Sequence, residues 1–254
     1  MDTMATATAT MDATKITTRP EGTRRSRRPL AWTLLGLALA IVTLSGDLLW
    51  HDVALYRLHA VAHAIRFGER VTKAQLALAA SDAIRGDDQG NLNAADLDDA
   101  AQVVSLLADN NRGNAFLAPA LLATSESLLR KRLALAPADG HSWLRLAYVR
   151  TARVGFDPLA HDALRESWLV TPREFTVMWP SLKFRIAHWF KLTVEEQFAA
   201  ADLVAGLWHK PPEREAIRQY LAKLPPQLTG TLLTDMTDAE ARAALSQPQD
   251  SWKK

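Results

Sequence analysis

Pro29–Trp50 reads PLAWTLLGLALAIVTLSGDLLW, and the reading of every later segment depends on what this run does. No charged residue stands between Leu30 and Gly46, which at 1.5 Å per residue gives about 25 Å of helix. Continuing through Leu48, Leu49 and Trp50 brings it to the roughly 30 Å of a bilayer core. Trp32 and Trp50 stand near the two ends, where amphipathic rings favour the interface. Asp47 falls close to the outer boundary, where a charge costs less than at the midplane.

Three readings compete for this segment. A cleaved signal peptide has a shorter apolar region followed by small residues at a cleavage site, and Leu44-Ser-Gly-Asp-Leu-Leu-Trp50 is a poor site of that kind. A core helix carries polar residues along one side, and this one carries almost none. The expectation is therefore a retained transmembrane signal anchor over residues 30–50. Lys15, Arg19, Arg24, Arg25, Arg27 and Arg28 precede it, while Asp47, Asp52, His51 and Arg57 follow. The positive-inside rule keeps such an N-terminus in the cytoplasm and sends the remainder across the membrane. In a bacterium that is a single pass of the inner membrane with a periplasmic C-terminal domain.

The net charge of +2 is misleading for the exported part. Six of the 30 basic and three of the 28 acidic residues lie before the apolar run, so 24 and 25 remain beyond it. A nucleic-acid partner leaves a basic excess on the folded domain, and none is present. The block Arg24–Arg28 reads as a topology signal that also touches anionic lipid. The chain has no cysteine, which excludes disulfides, thiolate metal sites and cysteine nucleophiles. With 48% hydrophobic residues it can hold itself together by burial.

Residues 1–22 are Thr/Ala-rich without periodicity and read as disordered, within a basic tail of residues 1–29. After the anchor, apolar residues at Val53, Leu55, Leu58, Val61, Ala62, Ile65 and Phe67 keep helical spacing up to Gly68. Thr72 with Gln75 makes a capping box for a helix over 73–85. A polar turn, 86–93, leads to a helix over 94–109. Pro119 suits the first turn of a helix over 119–135. Helices over 141–153 and 159–170 follow, separated by a turn at Gly155–Pro158. Thr171-Pro-Arg-Glu174 combines a capping box with proline at the first helical position, and Thr193 with Glu196 repeats the box. Pro211-Pro212 and Pro225-Pro226 bracket a further helix, and Thr237 with Glu240 opens a last one. Strand-type alternation is absent, so the expected class is all-α. The expected layout is a juxtamembrane helical region (51–118), a helical-hairpin domain (119–246) and a flexible tail (247–254).

The segment Pro137–Pro172 resembles a tetratricopeptide repeat, a helix–turn–helix unit of 34 residues. Trp143, Leu146 and Ala147 match its opening, and Ala160, Leu164 and Pro172 match its close with one residue inserted in the turn. Arg150 stands where the pattern has an aromatic, and the following unit keeps only Trp179 and Leu182. The resemblance implies an α-solenoid-like domain whose first helices line a groove for extended peptides, with His141, Leu144, Tyr148, Thr151 and Ala152 facing it. The layout is also similar to single-anchor helical helper proteins of bacterial exopolysaccharide and O-antigen assembly loci. That likeness rests on Arg132–Arg150 (RLALAPADGHSWLRLAYVR), the Trp-rich helices and Leu192-Thr-Val-Glu-Glu196.

Catalytic patterns are missing. There is no glycine-rich phosphate loop, no G-x-S-x-G and no H-E-x-x-H. His59 and His63 lie one helical turn apart with His51 further back, but no acidic or thiol ligand completes a metal set, so they read as polar packing. Asp87–Asp98 fails as a calcium loop because Leu92 holds the glycine position and Asp98 the final glutamate position. Arg145, Arg150, Arg153, Arg165 and Arg173 form a candidate basic face. Trp168, Trp179, Trp189 and Trp208 read as core before ligand platform. The expectation is a non-enzymatic adaptor without cofactor or metal. It binds a protein of an inner-membrane complex for polysaccharide polymerisation or export, or alternatively contacts the polysaccharide directly.

Overall fold

The computed structural model describes residues 27–172 and 174–247; side chains in the first helix are described at 32–43, 45 and from 53 onward. The tail expected to be disordered, Arg173 and residues 248–254 lie outside this set. The chain divides into two compact units, Met1–Trp50 and His51–Lys254.

The backbone of the first unit is helical from Arg27, the start of α1 (Arg27–Arg66). Trp32, Leu34, Leu35, Leu37, Leu39, Ile41 and Val42 are all exposed. Among the described residues no helix is long and apolar enough to cross a membrane. The positions 32–43 alone cover only about 18 Å, and the remainder of the expected span relies on side chains outside the described set.

In the second unit α1 ends two residues before Gly68, whose φ of 70° is the left-handed conformation that glycine adopts without a Cβ clash. It is followed by α2 (Lys73–Asp88), α3 (Ala94–Asp109), α4 (Leu117–Leu135), α5 (Gly140–Val154) and α6 (Pro158–Val170). Beyond these come α7 (Phe175–Ala187), α8 (Val194–Trp208), α9 (Arg214–Leu221), α10 (Pro226–Asp235) and α11 (Ala239–Leu245). No strand occurs among the described residues, so the expected all-α class holds. The capping boxes Thr72/Gln75 and Thr193/Glu196 form in full, and Asn93/Asp96 supplies a third.

Some local expectations give way to tertiary packing. The capping box at Thr171–Glu174 does not form: the Thr171 hydroxyl donates to the Ser167 carbonyl at 3.0 Å, and α7 starts after Glu174 without a side-chain cap. Thr171 is held there because it lies against Gly140, where a Cβ would leave no room. Thr237 bonds Asp202 at 3.0 Å, leaving Asp238 to cap α11 through the Ala241 amide. α2 runs past its expected end because Gly86 sits inside the fold against Leu92 and Leu55. α10 has no periodic signature in its Thr/Gly-rich sequence; burial of Leu232 holds it. Pro180 lies inside α7, where it removes one backbone donor without ending the helix.

Neighbouring helices pack as hairpins, α3 on α4, α5 on α6 and α7 on α8, with α5 also against α7. The repeat-type positions explain the α5–α6 pair. Ala147 and Ala160 are fully buried where the helices approach, Leu164 fills the space beside them, and Trp143 donates its indole N–H to the Pro137 carbonyl at 2.7 Å. Arg185 joins three helices from within: 1% exposed, it donates to the carbonyls of Leu164 and Glu196 at 3.2 and 3.1 Å.

Candidate functional site

The side chains expected on the partner-binding face come together on one surface. His141, Leu144 and Tyr148 line a cleft of about 200 Å³ with Arg145, Pro180 and Phe184. Tyr148, Thr151 and Ala152 line a second of about 470 Å³, with the end of α3, the start of α4, Arg153, Phe184 and His188. Tyr148 and Phe184 border both, so the two clefts form one groove along α5. Helical geometry produces this: residues 141, 144, 148, 151 and 152 recur at three- and four-residue steps and share one face.

The groove has an ordered polar edge. The Tyr148 hydroxyl donates to Asp109 at 2.9 Å and accepts from Arg112 at 2.8 Å, while Arg112 also donates to Asp109 at 2.9 Å. Burial, then the hydrogen bond to Asp109, pushes the Tyr148 phenol above its usual range, so the ring enters the groove neutral. Its aromatic edge is continuous. Phe184 lies 6.5 Å from Tyr148, and Phe156 stacks on His188 at 5.3 Å. Burial, with the Lys191 charge second, holds the His188 imidazole below its ordinary value. Mixed apolar walls with a few fixed polar groups suit binding of a segment.

Three of the arginines expected to form a basic face, Arg145, Arg150 and Arg153, are paired with carboxylates of neighbouring helices. Arg150 and Arg153 converge with Arg130 on buried Glu126, at 3.3, 2.9 and 2.9 Å. Arg150 also holds Asp157, the cap of α6, at 2.7 Å. Arg145 reaches back to Asp98 at 2.7 Å. Arg165 lies apart on α6 beside Asp162, and Arg173 is outside the described residues. Burying a carboxylate requires partners, and these cations supply them.

His59 bridges Asp96 and Asp99, and His63 lies against Phe67. Asp87 pairs with Lys131 across to α4. Among the described residues no cluster of His, Cys, Asp or Glu has the arrangement of a metal site. Trp189 and Trp208 are buried; Trp168 and Trp179 are half-buried, the latter bonded to Glu213 at 2.9 Å and edge-on to Tyr220.

The sequence reading missed Asp109, Arg112, Phe184 and His188. Asn110–Asn114 signals only a helix stop, and no periodicity says that α7 turns Phe184 toward α5. Comparison with family models, curated proteins and solved structures gives no match for this chain.

Proposed function

We propose that this protein is a membrane-anchored, non-enzymatic adaptor that holds a segment of a partner protein in the groove along α5. The observation that carries the reading is the convergence of His141, Leu144, Tyr148, Thr151 and Ala152 on two adjoining clefts with a shared aromatic pair, Tyr148 and Phe184. The anchor is supported by the uncharged run Leu30–Gly46 and by the exposure of its described side chains. A helix apolar all round needs an apolar surrounding. Anchoring raises the effective concentration of the groove near a membrane partner. The flanking arginines favour an inner-membrane placement with the helical domain in the periplasm. The likeness to helper proteins of polysaccharide assembly makes polymerase and export subunits the first partners to test.

The test is a photo-crosslinking residue at Ala152, exposed in the groove, compared with one at Gln219, exposed on α9. A membrane-protein adduct from position 152 and none from 219 supports the reading. No adduct from 152, or the same adducts from both, overturns it. A C-terminal reporter active only outside the cytoplasm checks orientation, and a silent reporter reverses the topology.

A further inference from the structure

On α6 and α8, the helices that pair with α5 and α7, lie two further clefts of about 630 and 740 Å³. Trp168 and Asp202 line both, which makes them one trough with an indole at its middle. None of its residues belongs to the groove along α5, so a ligand of the trough is independent of the partner segment held in that groove.

Trp168 differs from the other tryptophans of the helical domain. Trp189 and Trp208 are buried, while Trp143 and Trp179 give their indole N–H groups to Pro137 and Glu213. Trp168 is half-buried, and no ring stacks on it among the described residues. Around it the trough offers acceptors at Asp162, Glu195 and Asp202 and donors at Arg165 and Lys210. Among the described residues Glu195 has no cationic partner, and Asp202 accepts a hydrogen bond from the Thr237 hydroxyl at 3.0 Å.

From this we infer that the trough binds a neutral oligosaccharide. A pyranose has an apolar C–H face, which packs on an indole, and a rim of hydroxyls that both donate and accept. A ring beside mixed donors and acceptors meets both demands. Carboxylates outnumber Lys and Arg side chains along the trough, so a uronic-acid polymer is repelled.

The test uses the full chain in a polyoxyethylene detergent, whose head group carries no sugar to compete. Calorimetric titrations employ neutral hexaoses of β-1,4-glucose, α-1,4-glucose and β-1,4-N-acetylglucosamine, and an oligogalacturonate. At least one neutral hexaose binds, the oligogalacturonate does not, and Trp168→Ala weakens binding about tenfold. Asp202→Asn, which keeps the volume, weakens it several-fold and serves if Trp168→Ala loses helicity. Tyr148→Phe in the groove leaves the titration unchanged. The inference is overturned by no heat with any neutral hexaose at millimolar concentration. It is equally overturned by undiminished binding to a helical Trp168→Ala protein, or by preference for the oligogalacturonate.

Discussion

Residues 32–43 of α1 and the whole of α8 are both apolar helical stretches, yet they use their side chains in opposite ways. In α8, Ala199, Ala200, Ala201, Leu203, Val204 and Leu207 turn inward and are buried. Glu195 and Phe198 stay at the surface, and Asp202 is half-buried. In α1 the apolar side chains from Trp32 to Val42 point in every direction and all are exposed. Sidedness, more than hydrophobic content, tells what a helix is buried in. The second unit builds its interior from one-sided helices, whereas the described side chains of the first leave apolar groups exposed all round.

The comparison breaks if truncation costs the same in both helices. Leu203→Ala removes a fully buried side chain beneath α8 and costs about 3 kcal/mol. Leu39→Ala leaves the urea unfolding of the helical domain within about 0.5 kcal/mol. Circular dichroism of the full chain in micelles measures both. A large loss at Leu39 would mean that α1 packs inside the protein, and the anchor proposal would fail with it. Leu39→Arg tests the anchor proposal directly: on that proposal the charge costs about 3 kcal/mol of insertion and shifts protein into the alkali-extractable fraction, and an unchanged fraction counts against it.

Next in size is Arg185→Leu. The guanidinium is buried, and burial lowers its pKa to about 10, so its worth depends on what it bonds. Its partners are carbonyls of α6 and α8 and the Ser181 hydroxyl, to which leucine can make no bond. The expected loss is roughly 2 kcal/mol in the same unfolding measurement. A gain in stability would show that leucine packs better than the ties it replaces.

A smaller contrast sets one tyrosine in the groove against one at the surface. Tyr148→Phe removes the hydroxyl between Asp109 and Arg112 and costs about 1 kcal/mol. Tyr56, 70% exposed, loses nothing measurable when changed to Phe. Equal effects would mean that the groove's polar edge is not ordered in solution.

The parts of the fold written in local chemistry were legible. Thr72/Gln75 and Thr193/Glu196 each mark a helix start through a bond that the sequence specifies by itself, whereas Pro158, expected to close a turn, is the first residue of α6. The residues 141, 144, 148, 151 and 152 were named through the resemblance to a tetratricopeptide unit, and their three- and four-residue steps place them on one side of α5. What could not be read depends on a distant partner. Thr171 had to be placed against Gly140 before its capping role was lost. Arg150 and Arg153 looked like surface charge until Glu126, on another helix, turned out to be buried beneath them. Phe184 enters the groove only through the packing of α7 on α5, and Trp168 meets Asp202 only through α6 and α8.

The finest test asks whether the far end of the groove behaves as interior or as surface, and His188 supplies the probe. It stacks on Phe156 and tilts against Phe184 at 4.8 Å, and burial holds its pKa below the ordinary 6.5. The unfolded chain therefore takes up the proton first, so stability is full above about pH 6.5 and is lost as pH falls below it. His188→Phe keeps the stack and removes the titration. His59, His161 and His209 face carboxylates in both proteins and cancel in the difference. The wild type should then lose under about 1 kcal/mol relative to the variant between pH 7 and 5. A flat difference would make the far end of the groove surface, and a difference of opposite sign would mean that an anionic group approaches His188 in solution.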